Sequence, residues 1–523
     1  MLVTEIDGAL LGRMLRNGAD SLASNVDYLN GVNVFPVSDS DTGTNMRNTL
    51  EAGVASLVDD ASFSCVMQAF VKGMLIGSRG NSGLILSQYF RGLHEHTQGQ
   101  GAVSVPGLCE ALQHAAQCAW RAVLHPVDGT MLTVMRDGIS RTLPRITHDT
   151  SVTEFFDLLA GEMFLCMRET TEQMDVLRKN NVVDSGALGF FLVIDGMKRT
   201  LNDDPQFFEC AQSDLLPKRR ADVAGCVSFF RYCTEFVMKG GETCDRKFFT
   251  ALLEGKGDSI VVARDEDILK VHIHTNRPQE ITDEFSHYGS IIKRKTDDLF
   301  MTEEFERLRQ RKHQGFAVLA FTDGEGDAAM LEQLGADVAF AVPFRHSPSE
   351  EELAMLIDGF VAEDLIIFAD DKEIQERFRR IKWFSNLQNL CVVETDGLPR
   401  TFFTLSSLVF SDDFSGIVKS LDGLKRQRVF QASITAEVEI GQRWYAGSSG
   451  RKVFTNDDLS ALLEAVAGDK VLRPYSTVVV FGGVQATPDE VESVRAFFEK
   501  NSACDFTYVD GRHHAGDLII GAF

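Results

Sequence analysis

Asn33-Val34-Phe35-Pro36-Val37-Ser38-Asp39-Ser40-Asp41-Thr42-Gly43-Thr44-Asn45-Met46 places two carboxylates, Asp39 and Asp41, among hydroxyls and a glycine. Hard oxygen donors at this density suit a Mg²⁺ ion that carries a nucleotide's phosphates. Pro36 fixes one φ angle and Gly43 permits a positive one, so the stretch reads as a shaped loop between the apolar run 32–37 and a helix beginning near Thr44. The N–H groups at that helix start would face an anion. The same residues also make an ordinary solvated turn with side-chain-to-backbone bonds, and residue types alone leave both readings open.

Around this loop the sequence is helical. Ile6, Leu10, Leu11, Met14, Leu15, Ala19, Leu22 and Val26 recur at spacings of three and four, which predicts one helix from Thr4 to Leu29 with a single buried stripe. Further helices are expected over 44–57, 63–76, 83–96, 106–124, 130–142, 153–169 and 187–200, with almost no strand. Gly77-Ser78-Arg79-Gly80-Asn81-Ser82-Gly83 leads directly into one of them, so backbone N–H groups there could hold phosphates while Arg79 neutralises a transferring group. A glycine-rich helix start is equally a packing device. Asp128 with Thr130, and Asp184 with Gly186, put a carboxylate and a small residue ahead of two later helices; helix caps explain them as well as ligand contacts do.

No Gly-x-x-x-x-Gly-Lys-Ser/Thr loop and no protein-kinase signature occurs. Phosphoryl transfer needs positioning and charge neutralisation more than covalent help. No catalytic histidine stands beside the aspartates in the sequence, which fits an acceptor already ionised at pH 7, such as a carboxylate.

After Asn202-Asp203-Asp204-Pro205 short alternating strands begin, and Pro217-Lys218-Arg219-Arg220 reads as linker. Val271-His272-Ile273-His274-Thr275-Asn276 alternates with period two, so His272 and His274 share one strand face. Cys233, on another candidate strand, would complete a Cys/His/His set of the kind that binds Zn²⁺; two half-buried histidines and a core cysteine are the plainer alternative. From about 309 strands and helices alternate: 316–321, 337–342, 365–369 and 390–394 read as strands, after a polar helix over 304–314, and β-rich sequence follows from 428. Gly324-Glu325-Gly326-Asp327-Ala328-Ala329 matches a dinucleotide motif, but Glu325 and Asp327 would meet a pyrophosphate with like charge, and a strand-turn-helix corner explains the glycines. Trp444 reads as an aromatic in a strand and the His513-His514 pair as a polar loop.

The chain of 523 residues is long enough for three domains, over 1–205, 206–308 and 309–523, and 44% hydrophobic content indicates an ordinary globular protein. With 76 acidic against 52 basic residues the net charge is −24, which argues against nucleic acid or an anionic membrane as main partner. The N-terminus lacks a basic segment followed by an apolar one, and no run of eighteen apolar residues occurs, so a cytoplasmic protein with no membrane span is expected. Ten cysteines without a Cys-x-x-Cys pair read as reduced thiols.

The opening stretch resembles the Asn-Val-Phe-Pro-Val-Pro-Asp-Gly-Asp-Thr-Gly-Thr-Asn-Met signature of the DhaL-like kinase domain, the nucleotide-binding module of dihydroxyacetone kinases and of bacterial fatty acid kinase. It departs from it at Ser38, usually proline, and Ser40, usually glycine. Residues 77–83 are similar to that family's Gly-Ala-Arg-Gly-Asn-Ser-Gly, and 126–134 and 181–189 resemble its later loops, with Asp128 where glutamate is usual. Tyr232-Cys233-Thr234-Glu235-Phe236, Gly257-Asp258-Ser259 and 271–276 are similar to the middle domain of fatty acid kinase, whose matching cysteine and histidines bind zinc. The last region resembles, more loosely, that enzyme's C-terminal domain, itself akin to fatty-acid-binding proteins.

The resemblance implies a multidomain α and α/β protein: an all-helical antiparallel barrel holding ATP at one end, a small β-rich α+β middle domain, and an α/β C-terminal domain that docks a carrier. It implies that Asp39 and Asp41, with Asn33, hold Mg²⁺; that Thr42, Gly43, Thr44, Asn45, Ser82 and Gly83 line the phosphates; and that Arg79 offsets charge. Asp128, Thr130, Asp184 and Gly186 would be further nucleotide contacts, and Cys233, His272 and His274 zinc ligands in a structural or reactive role. The implied activity is ATP-dependent phosphorylation of a fatty acid, presented by a separate fatty-acid-binding protein, to an acyl phosphate, by a homodimer. A dihydroxyacetone-type small-molecule kinase and a non-catalytic nucleotide-binding regulator are the alternatives.

Overall fold

The computed structural model describes all residues except 1–2, 36–40, 125, 203–205, 214–215, 217–228, 242–243, 266, 302–309, 311–314, 343–345, 359, 361, 382–386, 409–413, 426, 428, 440–441, 450–451, 472–475, 502–504 and 514–516. The expected helix over 304–314 and the linker at 217–220 therefore lie outside the described residues. The chain forms two compact units, one of residues 1–226 and 230–302, the other of 227–229 and 303–523.

The first unit opens with a correction. Residues 4–29 are not one helix: a short strand β1 (Glu5–Asp7) precedes α1 (Gly8–Ala23) and α2 (Val26–Gly31). The apolar spacing of three and four continues through the break, but Asp7 caps α1 by accepting the Leu10 N–H at 2.8 Å. β1 pairs antiparallel with β2 (Ala102–Ser104).

The expected helices follow as α3 (Thr42–Ala55), α4 (Phe63–Gly77), α5 (Gly80–His96), α6 (Val105–Ala122), α7 (Met131–Thr142), α8 (Val152–Gln173) and α10 (Ser185–Leu201), with a short α9 (Asp175–Asn180), not expected from the sequence, between the last two. A capping box between Ser151 and Glu154 starts α8. Packing neighbours run from α1 through α3 and α4 to α5, α6, α7, α8 and α10 and back to α1, a closed ring. Its interior is one apolar core of fully buried side chains, among them Met14, Phe70, Tyr89, Phe155, Met163 and Phe190.

In the same unit β3 (Tyr232–Gly240), β4 (Asp258–Asp265), β5 (Ile268–Thr275) and β6 (Gly289–Asp298) form a sheet in the order β4-β5-β3-β6, with helices α11 (Arg246–Leu253) and α12 (Pro278–Phe285). One face buries Phe236, Met238, Leu269, Val271 and Ile273 against Phe249 and Phe285. Val261 and Ala263 of β4 pack on Leu75, Leu84 and Ala122 of the ring helices. This join brings the strand carrying the two histidines against the start of α5.

The second unit contains a parallel sheet in the order β10-β9-β7-β8: β7 (Phe316–Thr322), β8 (Val338–Ala341), β9 (Asp364–Ala369) and β10 (Asn389–Val393). Helices α13 (Glu325–Gln333), α14 (Glu350–Ile357) and α15 (Lys372–Arg380) connect these strands, and α16 (Leu398–Ser406) and α17 (Phe414–Leu424) follow. A mixed sheet comes next, with β11 (Phe430–Glu439), β12 (Gln442–Ser449), β13 (Lys452–Asn456), β14 (Thr477–Gly483), β15 (Asp505–His513), β16 (Leu518–Ala522) and helices α18 (Leu459–Val471) and α19 (Pro488–Asn501). Trp444 lies in β12 as expected. His513 is a second correction: it closes a strand and is 0% exposed rather than sitting in a polar loop, while His514 lies outside the described residues.

Candidate functional site

Asp41 is the residue before α3, and its side chain does not cap that helix. Asp39, the other expected Mg²⁺ ligand, lies outside the described residues. Asn33 is buried at the start of the loop. Asn30 fixes the head of α3 by accepting the Thr44 N–H at 3.2 Å and donating to the Thr44 hydroxyl at 2.9 Å. Thr42 is buried, and a Cβ on Gly43 would come within 2.8 Å of Leu29 Cβ, so these two residues seat α3 on α2.

The glycine-rich segment packs directly beside this helix start. A Cβ on Gly80 (φ +57°) would meet Asn45 Nδ2 at 2.3 Å, and one on Gly83 would meet Thr49 Oγ1 at 2.2 Å. Glycine is needed at Gly80 for both the left-handed backbone and the close approach. The Thr49 hydroxyl accepts the Arg79 N–H at 3.1 Å and donates to Asn45 O at 2.7 Å. Two helix N-termini, with Asp41 at the head of one, are thereby set side by side. The Gly83 N–H is held by Arg79 O at 3.1 Å, so Gly83 acts here through packing.

The middle sheet presents a polar face to this place. Antiparallel register pairs Cys233 with His274 and Glu235 with His272, and alternation sends all four to one face, together with Lys270. Glu235 accepts the Gly80 N–H, lies 3.2 Å from His272 Nδ1, and has Arg79 at 3.9 Å. Lys270, 3% exposed, donates to Ser78 O. Burial acts to raise the Glu235 carboxyl, but the His272 hydrogen bond, the His272 and Lys270 charges and the Gly80 N–H hold it down at about 2.

Burial lowers the His272 pKa, against the raising effects of Glu235 and of the Asp41 charge. Asp41 is thus within electrostatic range of a histidine that is distant in sequence. Ligating atoms of Cys233, His272 and His274 lie within 4.8 Å of one another, and His272 Nε2 is buried without a hydrogen-bond partner. A thiolate and two imidazoles with one orphaned nitrogen fit Zn²⁺. Glu235, 3.2 Å from Nδ1, is placed where a carboxylate would orient that imidazole if it held a metal. Glu235 and Lys270 were missed as site residues in the sequence; the signal available was their period-two spacing from Cys233 and His272.

The two later loops meet each other. Asp184 caps α10, accepting the Ala187 N–H at 2.7 Å, and also takes the Met131 N–H. Ser185 donates to Leu29 O at 2.8 Å, at the end of the ring where Gly43 packs. Gly186 lies against Asp184 and Met131. Asp128 is exposed, 2.9 Å from Arg136, and accepts from the Thr133 hydroxyl at 3.1 Å, while Thr130 donates to Val127 O at 2.8 Å. Burial pushes the Asp184 carboxyl up to about 6 from an ordinary value near 4. The folded state then holds a proton that the unfolded chain has released, so this group loses stability as pH rises from about 4 to about 6, on the order of 3 kcal/mol in all. Urea unfolding across that range should show the slope in the wild type and lack it in Asp184→Asn; an unchanged slope would place the carboxylate elsewhere than in the cap.

Parts of the chain are similar to known proteins. Residues 36–199 match the DAK2 domain family, and residues 229–306 match the family of FakA-like middle domains of fatty acid kinase. The chain combines a DAK2 domain with a FakA-like middle domain. An uncharacterized protein of Staphylococcus saprophyticus is 28% identical over 95% of this chain and 96% of its own length. One of Staphylococcus haemolyticus is 27% identical over 99% of each. Among solved structures, dihydroxyacetone kinase from C. freundii in complex with AMP-PNP and Mg²⁺ aligns with TM-score 0.30 and 14% identity over 38% of this chain and 35% of that one. A DegV lipid-binding protein from Thermotoga maritima aligns with TM-score 0.29 and 10% identity over 40% of this chain and 97% of its own. The paired helix starts and Asp41 lie in the DAK2 match, and the Cys233, His272 and His274 set in the middle-domain match. No helix among the described residues is long and apolar enough to cross a membrane.

Proposed function

We propose that the protein is an ATP-dependent kinase that phosphorylates the carboxylate of a fatty acid, presented by a separate fatty-acid-binding protein, to an acyl phosphate. The observation that carries the reading is the juxtaposition of Asp41 at the head of α3 with the glycine-rich head of α5, inside a DAK2 match. Asp41, with Asp39 and Asn33, would hold Mg²⁺, which supplies charge neutralisation on the nucleotide phosphates. Thr44, Asn45 and Ser82 stand at the two helix starts to position those phosphates, and Arg79 offsets charge on the group in transfer. A carboxylate oxygen of the acceptor forms the new bond to the γ-phosphorus, the bond from that phosphorus to the bridging oxygen breaks, and ADP leaves.

The acceptor is already ionised, so no residue has to remove a proton from it. His272, held by Glu235, fits an orienting role better than that of a base. Cys233, His272 and His274 would hold Zn²⁺ between β3 and β5, beside the Glu235 and Lys270 side chains that join this sheet to the α5 start. The three-part division of the chain, docking of the carrier by the later regions and a homodimeric, cytoplasmic protein belong to the same proposal.

Purified full-length protein should consume ATP only when a fatty-acid-loaded carrier is present. Turnover with dihydroxyacetone instead would move the assignment to a small-molecule kinase. No turnover with any acceptor would indicate a regulator that keeps the nucleotide fold.

A further inference from the structure

The second unit holds a side-chain cluster for which the kinase reading has no use. Asp323 follows β7, Asp327 sits in the first turn of α13, and His513 ends β15. Their ligating atoms lie within 4.8 Å of one another. Asp327 and His513 are both 0% exposed, and His513 Nδ1 is 2.9 Å from Asp327 Oδ2. The other atom of each group, Asp327 Oδ1 and His513 Nε2, is buried with no hydrogen-bond partner. A buried polar atom that nothing satisfies is destabilising, so each of them calls for a partner.

The backbone is shaped to make this cluster. A Cβ on Gly326 would fall 1.7 Å from Asp510 O, and one on Gly511 would fall 2.1 Å from Asp327 Oδ1. The end of β15 can therefore lie against the first turn of α13 only because both positions lack a side chain. This is the physical use of the Gly324-Glu325-Gly326 motif, in agreement with the strand-turn-helix reading.

Carboxyl groups are concentrated around it. Asp370 follows β9, the parallel neighbour of β7, and accepts from the Thr322 hydroxyl at 2.7 Å. Burial, with the charges of Asp323, Asp327 and Asp371 adding, pushes the Asp370 carboxyl up to about 8. The place lies just beyond the carboxyl ends of two parallel strands, where sheets of this kind receive ligands.

We propose that Asp323, Asp327 and His513 form a divalent transition-metal site, with Zn²⁺ or Mn²⁺ as the fitting ion. Two carboxylates attract any divalent cation, and the imidazole nitrogen favours these over Mg²⁺ or Ca²⁺. Three protein ligands leave a position open for water or another small donor. The site belongs to the second unit alone and stands whether or not the kinase reading does.

The test is metal content of the full chain, stripped with EDTA, reloaded with ZnCl₂ or MnCl₂, desalted and measured by mass spectrometry. In a Cys233→Ser/His272→Gln background, which disables the candidate site of the first unit, one equivalent per chain is expected. Adding His513→Gln, Asp327→Asn or Asp323→Asn should reduce it to background. Asp323 is only partly buried and is the variant least expected to disturb folding, which circular dichroism checks. The added ion should also raise the melting temperature of the parent background and not of the Asp323→Asn chain. A parent background that retains no metal, or an equivalent that survives all three substitutions, overturns the proposal.

Discussion

Asp41→Asn is expected to lower ATP turnover by roughly 10²–10³-fold, the effect of several kcal/mol of lost charge stabilisation at a phosphoryl group. Thermal stability should change by less than about 1 kcal/mol, because Asp41 occupies the N-cap position of α3 without a side-chain cap bond and lies outside the apolar core. The two expectations separate because Asp41 precedes α3 without capping it, so removing the charge leaves that helix start held by Asn30 and Thr44. The groups placed to hold the phosphates would then keep their geometry, while one of the carboxylates that would hold Mg²⁺ is lost. The loss should fall mainly on the rate at saturating ATP when free Mg²⁺ is limiting and recover partly as Mg²⁺ is raised. Turnover within a few-fold of wild type at every Mg²⁺ concentration would remove Asp41 from the site.

What could be read from the sequence follows the range over which each signal acts. Helices α3 to α8 and α10 were legible because periodicity is local and survives in a ring whose helices each bury one stripe. The break after Ala23 was not, because Ser24 and Asn25 interrupt the helix without interrupting the apolar spacing. Alternation placed His272 and His274 on one face, and the structure adds Cys233 through cross-strand register. Contacts between residues far apart in sequence were illegible: the Gly80 N–H meets Glu235 across 155 positions and His513 meets Asp327 across 186. Nothing local in Arg512-His513-His514 signals burial, since the partner that makes it tolerable is an aspartate in the first turn of α13, far away in sequence.

Glu235→Ala carries the largest expected effect on stability. The carboxylate, 6% exposed, is the acceptor shared by the Gly80 N–H and His272 and lies beside Arg79. Lys270 is buried at 3% exposure, and burial pushes its ammonium down to about 8 even with Glu235 working to raise it. Removing the carboxylate leaves a buried cation without the nearby opposite charge and a part-buried amide N–H without its acceptor, which costs about 3–5 kcal/mol. If that loss arises from Lys270 left uncompensated, deleting both charges must be milder than the sum of deleting each. Glu235→Ala/Lys270→Met should therefore be less destabilised than the two single variants added together, by about 1–2 kcal/mol. Urea unfolding followed by far-ultraviolet circular dichroism, which the helical ring dominates, measures all four corners of this cycle. Strict additivity would mean that the middle sheet and the start of α5 are joined by packing of Val261, Ala263, Leu75 and Leu84 alone, and that the charges between them are incidental.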